Sequence, residues 1–126
     1  MSKPSLTAIV DDDQAMREAL LDLLHVEGLP GRVFSDAEAF LASMAAEEFG
    51  CLITDIRMPG LDGLALQRRL RQQGSPLPVI FVTSAADDAS RVQAMADGAT
   101  AYFTKPLTTA ALVRGLLLTV QQQVVR

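Results

Sequence analysis

Five side chains that can do acid, hydroxyl or ammonium chemistry stand directly after short, largely apolar runs of the sequence. They are Asp11, Asp12, Asp55, Thr83 and Lys105. Asp55 is the most unusual of them, because it ends the run 51–54 and is followed almost at once by a Pro59-Gly60 turn. If these runs are strands of one parallel sheet, their carboxyl ends lie on one edge and the five side chains converge there.

Three carboxylates that meet within a few ångströms repel one another and remain ionised only beside positive charge. One lysine cannot balance three acids, whereas Mg²⁺ takes carboxylates, waters and a phosphate oxygen as its ligands. The metal ion and the ammonium of Lys105 would each hold a phosphoryl oxygen, and the hydroxyl of Thr83 would donate to a third. The five residues therefore predict a phosphoryl-transfer site.

The group that accepts the phosphoryl in such a site has to be a side chain. The sequence contains neither a Gly-x4-Gly-Lys-Ser/Thr loop nor a Gly-x-Gly-x-x-Gly segment after its first strand-like run. Carboxylates do form acyl phosphates, and Asp55 stands alone on the central run. We assign Asp55 as the phosphoryl acceptor and Asp11 and Asp12 as the acids that hold the metal.

Strand-like and helix-like segments alternate five times, which predicts one α/β domain over residues 1–126. Strands are expected at 6–10, 32–34, 51–54, 79–82 and 101–104. Such alternation is typical of a doubly wound parallel sheet with helices on both faces. The run 79–82 is continuously apolar, as expected of a strand that is covered on both faces.

Residues that begin or end helices are also recognisable. Ser35 and Glu38 have the spacing of a capping box at the start of the second helix. Asp13 can cap the first helix, and Asp87 or Asp88 can start the fourth. The last helix is expected to begin near Thr108.

The expected helices have polar and apolar faces. The third helix is predicted to direct its arginines at 68, 69 and 71 toward water. The fourth helix is predicted to turn an apolar stripe inward, formed by Val92, Met95, Ala96 and Ala99. The last helix carries more apolar residues than one buried stripe needs, with Leu107, Ala111, Leu118 and Val125 on a second side.

The bulk properties limit the functions that this chain can have. The formal charge of −4 and the pI of about 4.8 argue against nonspecific electrostatic binding to nucleic acid or to an anionic membrane. No apolar run has the length of a membrane span, and the polar residues 1–5 do not resemble a signal peptide. The single cysteine, Cys51, has no internal disulfide partner. We expect a cytoplasmic domain.

The chain resembles the receiver domain of two-component response regulators over essentially its whole length. The residues that carry the resemblance are Val10-Asp11-Asp12-Asp13, Asp55-Ile56-Arg57-Met58-Pro59-Gly60 with Asp62-Gly63, Val82-Thr83-Ser84 and Tyr102-Phe103-Thr104-Lys105-Pro106. The resemblance implies a flavodoxin-like (βα)5 fold with strand order 2-1-3-4-5. The sequence around Asp55 is most similar to that of receivers attached to helix-turn-helix domains of transcription regulators.

The resemblance also implies roles for individual residues. A sensor histidine kinase would donate the phosphoryl group to Asp55, with Mg²⁺, or Mn²⁺ as its substitute, held by Asp11, Asp12, Asp55 and the backbone carbonyl of Arg57. Lys105 would pair with the phosphoryl group, Thr83 would move to bond it, and Tyr102 would swing inward behind Thr83. The side chains of Arg57 and Ala85 stand where the phosphate lifetime is tuned in this family.

The signal would leave through the surface that the fourth helix, the fifth strand and the last helix form, which resembles the dimerisation surface of many receivers. Residues 120–126 would begin a linker to an effector domain beyond the chain, unless the protein is a stand-alone receiver. This domain would be a switch rather than an enzyme, with at most self-phosphorylation and self-dephosphorylation.

Two other classes of protein remain as alternatives. A haloacid-dehalogenase-like phosphatase also uses an aspartyl nucleophile, and Asp11-Asp12-Asp13 satisfies its Asp-x-Asp spacing. Against it, Ala15 stands where threonine or valine is expected, and the chain is short. A pseudo-receiver would never take phosphate, which the complete set of acids, hydroxyl and lysine argues against.

Overall fold

The computed structural model describes residues 3–84 and 87–125, so Ala85 lies outside the described residues. Strands and helices alternate as the sequence predicts. Their bounds are β1 Leu6–Val10, α1 Gln14–Val26, β2 Gly31–Phe34, α2 Ala37–Ser43, β3 Phe49–Thr54, α3 Gly63–Gln72, β4 Val79–Thr83, α4 Asp88–Ala96, β5 Ala101–Thr104 and α5 Ala110–Val124.

The five strands form one parallel sheet in the order β2-β1-β3-β4-β5. This confirms the predicted flavodoxin-like fold. The strand β4 is buried along its whole length, as its continuously apolar sequence indicates. The order places the ends of β1, β3 and β4 side by side at the middle of the carboxyl edge.

Two hydrophobic cores lie on the two faces of the sheet. On one face, Phe40 of α2, Leu66 of α3 and Phe81 of β4 belong to a single buried cluster. On the other face, Leu24 of α1 and Leu116 of α5 pack against the opposite side chains of the same strands. This arrangement follows from the alternation of side chains along each strand. No helix within the described ranges has the length and hydropathy that crossing a bilayer requires.

The caps of the helices differ from the prediction at one place. Asp13 caps α1 and Asp87 caps α4, as expected. The cap of α2 is Asp36 rather than Ser35, and its carboxylate accepts a hydrogen bond from the Ala39 N–H at 2.8 Å. The predicted capping box was wrong by one residue, because the backbone is still extended at Asp36 and the helix begins only at Ala37. The helix α5 begins two residues later than expected, after a Thr109 cap.

The buried side of α4 is not the one that the sequence predicts. Val92 and Met95 are 65% and 46% exposed, and Ala96 is exposed as well. The inward residue is Ala94, whose backbone carbonyl accepts a hydrogen bond from the buried amide of Gln67 on α3. A small side chain lets the two helices approach closely, and this closeness sets the rotation of α4. Of the predicted stripe, only Ala99, which follows the helix, is buried.

The arginines of α3 do not share one environment. Arg69 is exposed, as predicted, and Arg68 forms an ion pair with Asp97 at 3.2 Å. Arg71 is half-buried, and its guanidinium donates to the backbone carbonyls of Ser75, Leu77, Asp97 and Gly98. Arg71 therefore joins the end of α3 to the end of α4, because helix ends leave carbonyl groups without intrahelical donors.

The residues on the second apolar side of α5 lie in different surroundings. Leu107, just before the helix, lines a groove with residues of α1. Leu118 lines a neighbouring groove beside Glu27, which follows α1. These two leucines therefore lie toward α1, and Leu118 is 49% exposed.

Candidate functional site

The carboxyl edge of the sheet brings together three of the predicted acids. Carboxylate oxygens of Asp11, Asp12 and Asp55 all lie within 4.8 Å of one another. Asp11 and Asp55 are buried, whereas Asp12 is exposed. Three acidic oxygen donors, two of them fixed in the protein interior and one open to solvent, suit a hard divalent cation that keeps some of its water.

Lys105 lies between two of these acids. Its Nζ is 2.9 Å from Asp11 Oδ2 and 2.9 Å from Asp55 Oδ2. Burial works against the ammonium, but hydrogen bonds and Coulomb attraction from the two carboxylates outweigh it, so the pKa of Lys105 is raised. The lysine is thus an ammonium ion at neutral pH that neutralises one of three carboxylates.

The backbone around Lys105 ties two strands together at this edge. The Lys105 N–H donates to the carbonyl oxygen of Thr83 at 2.8 Å, and the Lys105–Pro106 peptide bond is cis. Thr83 is fully buried at the end of β4. The structure therefore places the predicted hydroxyl residue beside the strand that delivers the ammonium.

Asp55 is held by contacts on both carboxylate oxygens. Oδ1 accepts from the N–H of Ile56 at 2.6 Å, and Oδ2 accepts from Lys105. The Asp55 N–H donates to the carbonyl oxygen of Val10 at 3.2 Å, which continues the pairing of β3 with β1 up to the site. The carboxylate is consequently presented in a defined orientation at the tip of the central strand.

The loop between β1 and α1 has its own supports. The N–H of Asp13 donates to Asp11 Oδ1 at 2.9 Å, and the guanidinium of Arg17 donates to the Asp11 carbonyl oxygen at 2.8 Å. The carboxylate of Asp13 accepts from the Ala15 N–H at 3.0 Å. Asp13 therefore serves the start of α1, and its side chain is outside the acidic cluster.

Tyr102 lies on β5, paired in register with Phe81 of β4. Its ring is half-buried, with its centroid 6.0 Å from that of Phe81. Burial, followed by the negative charges of Asp87 and Asp55, raises the pKa of the Tyr102 hydroxyl. The phenol therefore stays neutral at physiological pH, and its pKa depends in part on the negative charge of Asp55.

The turn after Asp55 has one residue buried in the core, Met58, and one exposed to solvent, Arg57. Met58 is buried in the core, and Gly60 has a φ of 77°, a left-handed conformation that favours glycine. The side chain of Arg57 points to solvent, where its guanidinium lies 3.7 Å from Asp87 Oδ1. This ion pair links the turn to the start of α4, and sequence reasoning missed it because the two residues are distant in the chain.

The comparison with known proteins agrees with this geometry. The family model for the response regulator receiver domain matches residues 7–116. The transcriptional regulatory protein FixJ of Bradyrhizobium diazoefficiens is 43% identical over 98 residues, which are 78% of this chain and 48% of that protein. The response regulator protein TmoT of Ectopseudomonas mendocina is 44% identical over 102 residues, 81% of this chain and 46% of that protein. The chain spans about half the length of these relatives.

Solved structures give the same result. The crystal structure of FixJ-N superposes with a TM-score of 0.84 at 30% identity and covers 99% of both chains. A receiver protein from Pseudomonas putida superposes with a TM-score of 0.85 at 28% identity, covering 97% of this chain and 99% of that one. The chain therefore belongs to the response regulator receiver domain family.

Proposed function

We propose that this domain accepts a phosphoryl group from a sensor histidine kinase on Asp55, in a Mg²⁺-dependent reaction. The observation that carries the proposal is the position of the Asp55 carboxylate, between the ammonium of Lys105 and the two further acids at the same edge of the sheet. We place this exchange in the cytoplasm as part of the same proposal.

Asp11, Asp12, Asp55 and the backbone carbonyl of Arg57 would hold the metal. When bound, Mg²⁺ would withdraw charge from the phosphoryl oxygens and offset the repulsion between carboxylates. An oxygen of Asp55 attacks phosphorus, the P–N bond to the kinase histidine breaks, and the departing imidazole nitrogen takes up a proton. Lys105 stabilises the charge on one phosphoryl oxygen and Thr83 donates to another.

We propose that the kinase docks in a groove beside the site, through the helix that carries its phosphohistidine. The groove has a volume of about 610 Å³, and Lys105 lines it together with Leu20 and Leu23 of α1 and Pro106 and Leu107 of the loop before α5. Because it is mostly apolar and continuous with Lys105, it suits the apolar face of the kinase helix that carries the phosphohistidine.

Phosphorylation would change the surface that α4, β5 and α5 form and favour a homodimer through it. The exposed Val92 and Met95 of α4 support this proposal, because large apolar side chains on a surface commonly mark an interface. We expect Val92→Glu to abolish phosphorylation-dependent dimerisation in sedimentation velocity. With acetyl phosphate as the donor, Val26→Glu, at the exposed end of α1, is the matched control and should dimerise normally, because α1 is not part of that surface. Identical monomers before and after phosphorylation would refute the dimer.

The output of the whole protein would be transcription. Relatives named as transcriptional regulatory protein FixJ are about twice as long as this chain. A linker to a helix-turn-helix effector domain would begin after α5 and not at residue 120, because Val120 and Val124 of that helix are buried in the core. Within this proposal the domain is a switch, and its own catalysis is limited to self-phosphorylation and self-dephosphorylation.

The phosphatase alternative needs Asp13 as a second catalytic acid beside Asp11. The carboxylate of Asp13 instead caps α1, which disfavours this reaction. A pseudo-receiver is disfavoured by the complete set of Asp55, Lys105 and Thr83.

The test uses acetyl phosphate as the donor and intact mass as the measurement. In the presence of Mg²⁺ we expect one base-labile phosphoryl adduct, and we expect none after chelation with EDTA. Asp55→Asn should abolish the adduct, whereas the control Asp13→Asn should retain it, since Asp13 only caps a helix. An adduct that persists in Asp55→Asn would refute the assignment, and repeated turnover of many phosphate esters would favour the phosphatase.

A further inference from the structure

Thr54, the residue before the proposed acceptor, is buried in a strand that is otherwise apolar at this end. Its side chain is 1% exposed, and its hydroxyl donates to the backbone carbonyl oxygen of Asp55 at 2.9 Å. A hydroxyl in such surroundings costs free energy unless it is hydrogen-bonded. Valine would fit the same volume, so the hydroxyl itself requires an explanation.

The same carbonyl group is confined from a second side. A Cβ atom added to Gly63 would overlap the Asp55 carbonyl oxygen, so the first residue of α3 lies directly against it. The Gly63 N–H also donates to the Ile56 carbonyl oxygen at 2.8 Å. The hydroxyl of Thr54 and the backbone of Gly63 together leave the Asp55 carbonyl little freedom to turn.

The orientation of this carbonyl controls the carboxylate of Asp55. The carbonyl of Asp55 and the N–H of Ile56 belong to one planar peptide group. That N–H donates to Asp55 Oδ1 at 2.6 Å, while Lys105 holds Oδ2. A rotation of the peptide plane would therefore carry the donor away from Oδ1 and leave the carboxylate attached at only one oxygen.

We propose that Thr54 is a positioning residue for phosphoryl acceptance, because its hydroxyl fixes the peptide plane whose N–H orients the Asp55 carboxylate. The inference rests on the proposed function of Asp55. The Thr54 hydroxyl bonds a backbone carbonyl and not the carboxylate itself, so its loss lowers the fraction of time in which the carboxylate is aligned for attack. Because Asp55 is also one of the proposed Mg²⁺ ligands, the rate is compared at saturating Mg²⁺, where a change in metal affinity does not lower it.

The test compares three substitutions that delete or keep a buried hydroxyl. Thr54→Val removes the hydroxyl at nearly constant volume, and Thr54→Ser keeps it. Thr7→Val is the matched control, because Thr7 is equally buried on the neighbouring strand β1 and its Oγ1 has no hydrogen-bond partner among the described residues. Removal of that hydroxyl should be neutral or stabilising.

The rate of adduct formation from acetyl phosphate at saturating Mg²⁺ is the first measurement. We expect Thr54→Val to lower it about three- to tenfold, the effect of losing one hydrogen bond. Thr54→Ser and Thr7→Val should remain within about twofold of the wild type. The half-saturating donor concentration should not change in Thr54→Val, because loss of alignment lowers the maximal rate and not donor binding.

The amide resonance of Ile56 in NMR spectra is the second measurement, and it reports on the peptide plane without any phosphodonor. We expect the amide proton chemical shift of Ile56 to change in Thr54→Val. In Thr54→Ser and Thr7→Val it should stay at the wild-type value. Thr54→Ala, which also lacks the hydroxyl, should reproduce both effects if the valine variant does not fold.

The outcomes separate this inference from the proposed function. A wild-type protein that forms no adduct would overturn the proposed function, whatever Thr54 does. A rate for Thr54→Val equal to that of Thr7→Val, with an unchanged Ile56 resonance, would overturn the role of Thr54 and leave the role of Asp55 intact. Equal slowing in Thr54→Val and Thr54→Ser would show that the rate does not follow the presence of the hydroxyl, which the serine variant keeps, and would also overturn the role of Thr54.

Discussion

Replacement of Lys105 by methionine removes the ammonium between two buried carboxylates and keeps an unbranched side chain of similar length. Nζ lies 2.9 Å from both Asp11 Oδ2 and Asp55 Oδ2, and the side chains are only 17%, 3% and 8% exposed in the order lysine, Asp11, Asp55. In the absence of metal, the variant therefore leaves two adjacent buried carboxylates without their shared counter-charge. We expect a large loss of stability.

The size of the loss follows from the burial of the group. Breaking a buried ion pair costs roughly 3–5 kcal/mol, because an uncompensated charge stays in the interior. Exposed Asp12 opens the cluster to water on one side, so we expect the lower end, about 3 kcal/mol. For a domain of this size, such a loss lowers the melting temperature by ~12 °C.

Magnesium should reverse the loss, because a divalent cation and the ammonium neutralise the same carboxylates. Lys105→Met is therefore expected to bind Mg²⁺ more tightly than the wild type and to gain more stability from saturating Mg²⁺, following the linkage between binding and unfolding. The assay is urea unfolding in EDTA and in Mg²⁺ at pH 7. Lys3→Met is the matched control, since Lys3 is the only other lysine of the sequence and is exposed.

The sign of the pH dependence follows from the raised pKa of Lys105. A lysine whose folded pKa is raised contributes its full stability at pH values below the unfolded pKa, about 10.4. The contribution is lost as the pH rises through the folded value. The difference between wild type and Lys105→Met should thus be constant from about pH 6 to 9 and shrink only in more alkaline buffer. Equal stability of Lys105→Met and Lys3→Met in EDTA would refute this account of the site.

The remaining predictions concern the body of the domain. Burial raises the pKa of the Cys51 thiol to about 12, so at pH 8 the thiol should react with an aromatic disulfide reagent no faster than the protein unfolds, and rapid reaction of the native protein would contradict this. Phe40→Ala should lower the unfolding free energy by about 3–5 kcal/mol, as measured in urea, because the ring is fully buried between two other phenylalanines. Arg71→Ala should cost about 2 kcal/mol through the carbonyls that it leaves without a donor, whereas Arg69→Ala should change stability by less than about 0.5 kcal/mol.

The sequence could predict the fold and the meeting of the acids because both depend on local patterns. A strand of four or five apolar residues determines where it ends, and a parallel sheet then brings all such ends to one edge. Asp11, Asp12, Asp55 and Lys105 are adjacent for this reason alone. Neither inference required knowledge of how the helices rotate about their axes.

The features that sequence reasoning missed depend on contacts between distant residues. The apolar stripe of α4 is real, but a stripe does not reveal whether it faces the core, and the contact of Ala94 with Gln67 decides the matter. The role of Arg71 depends in the same way on carbonyl groups that α4 leaves at its end. Thr54 gave a signal that could have been used, because it is a polar residue at the buried end of an apolar run.

If Asp55 takes up the proposed phosphoryl group, the charges of the site would connect that change to α4. Three carboxylates and one ammonium leave a net charge of −3 + 1 = −2, which one divalent cation would neutralise. A phosphoryl group on Asp55 would then add negative charge on the solvent side of the carboxylate, close to the turn that carries Arg57. Arg57 is at present paired with Asp87, the cap of α4. A phosphoryl group that attracts Arg57 would therefore weaken its contact with the cap, and the start of α4 would respond before the end that Gln67 and Arg71 hold.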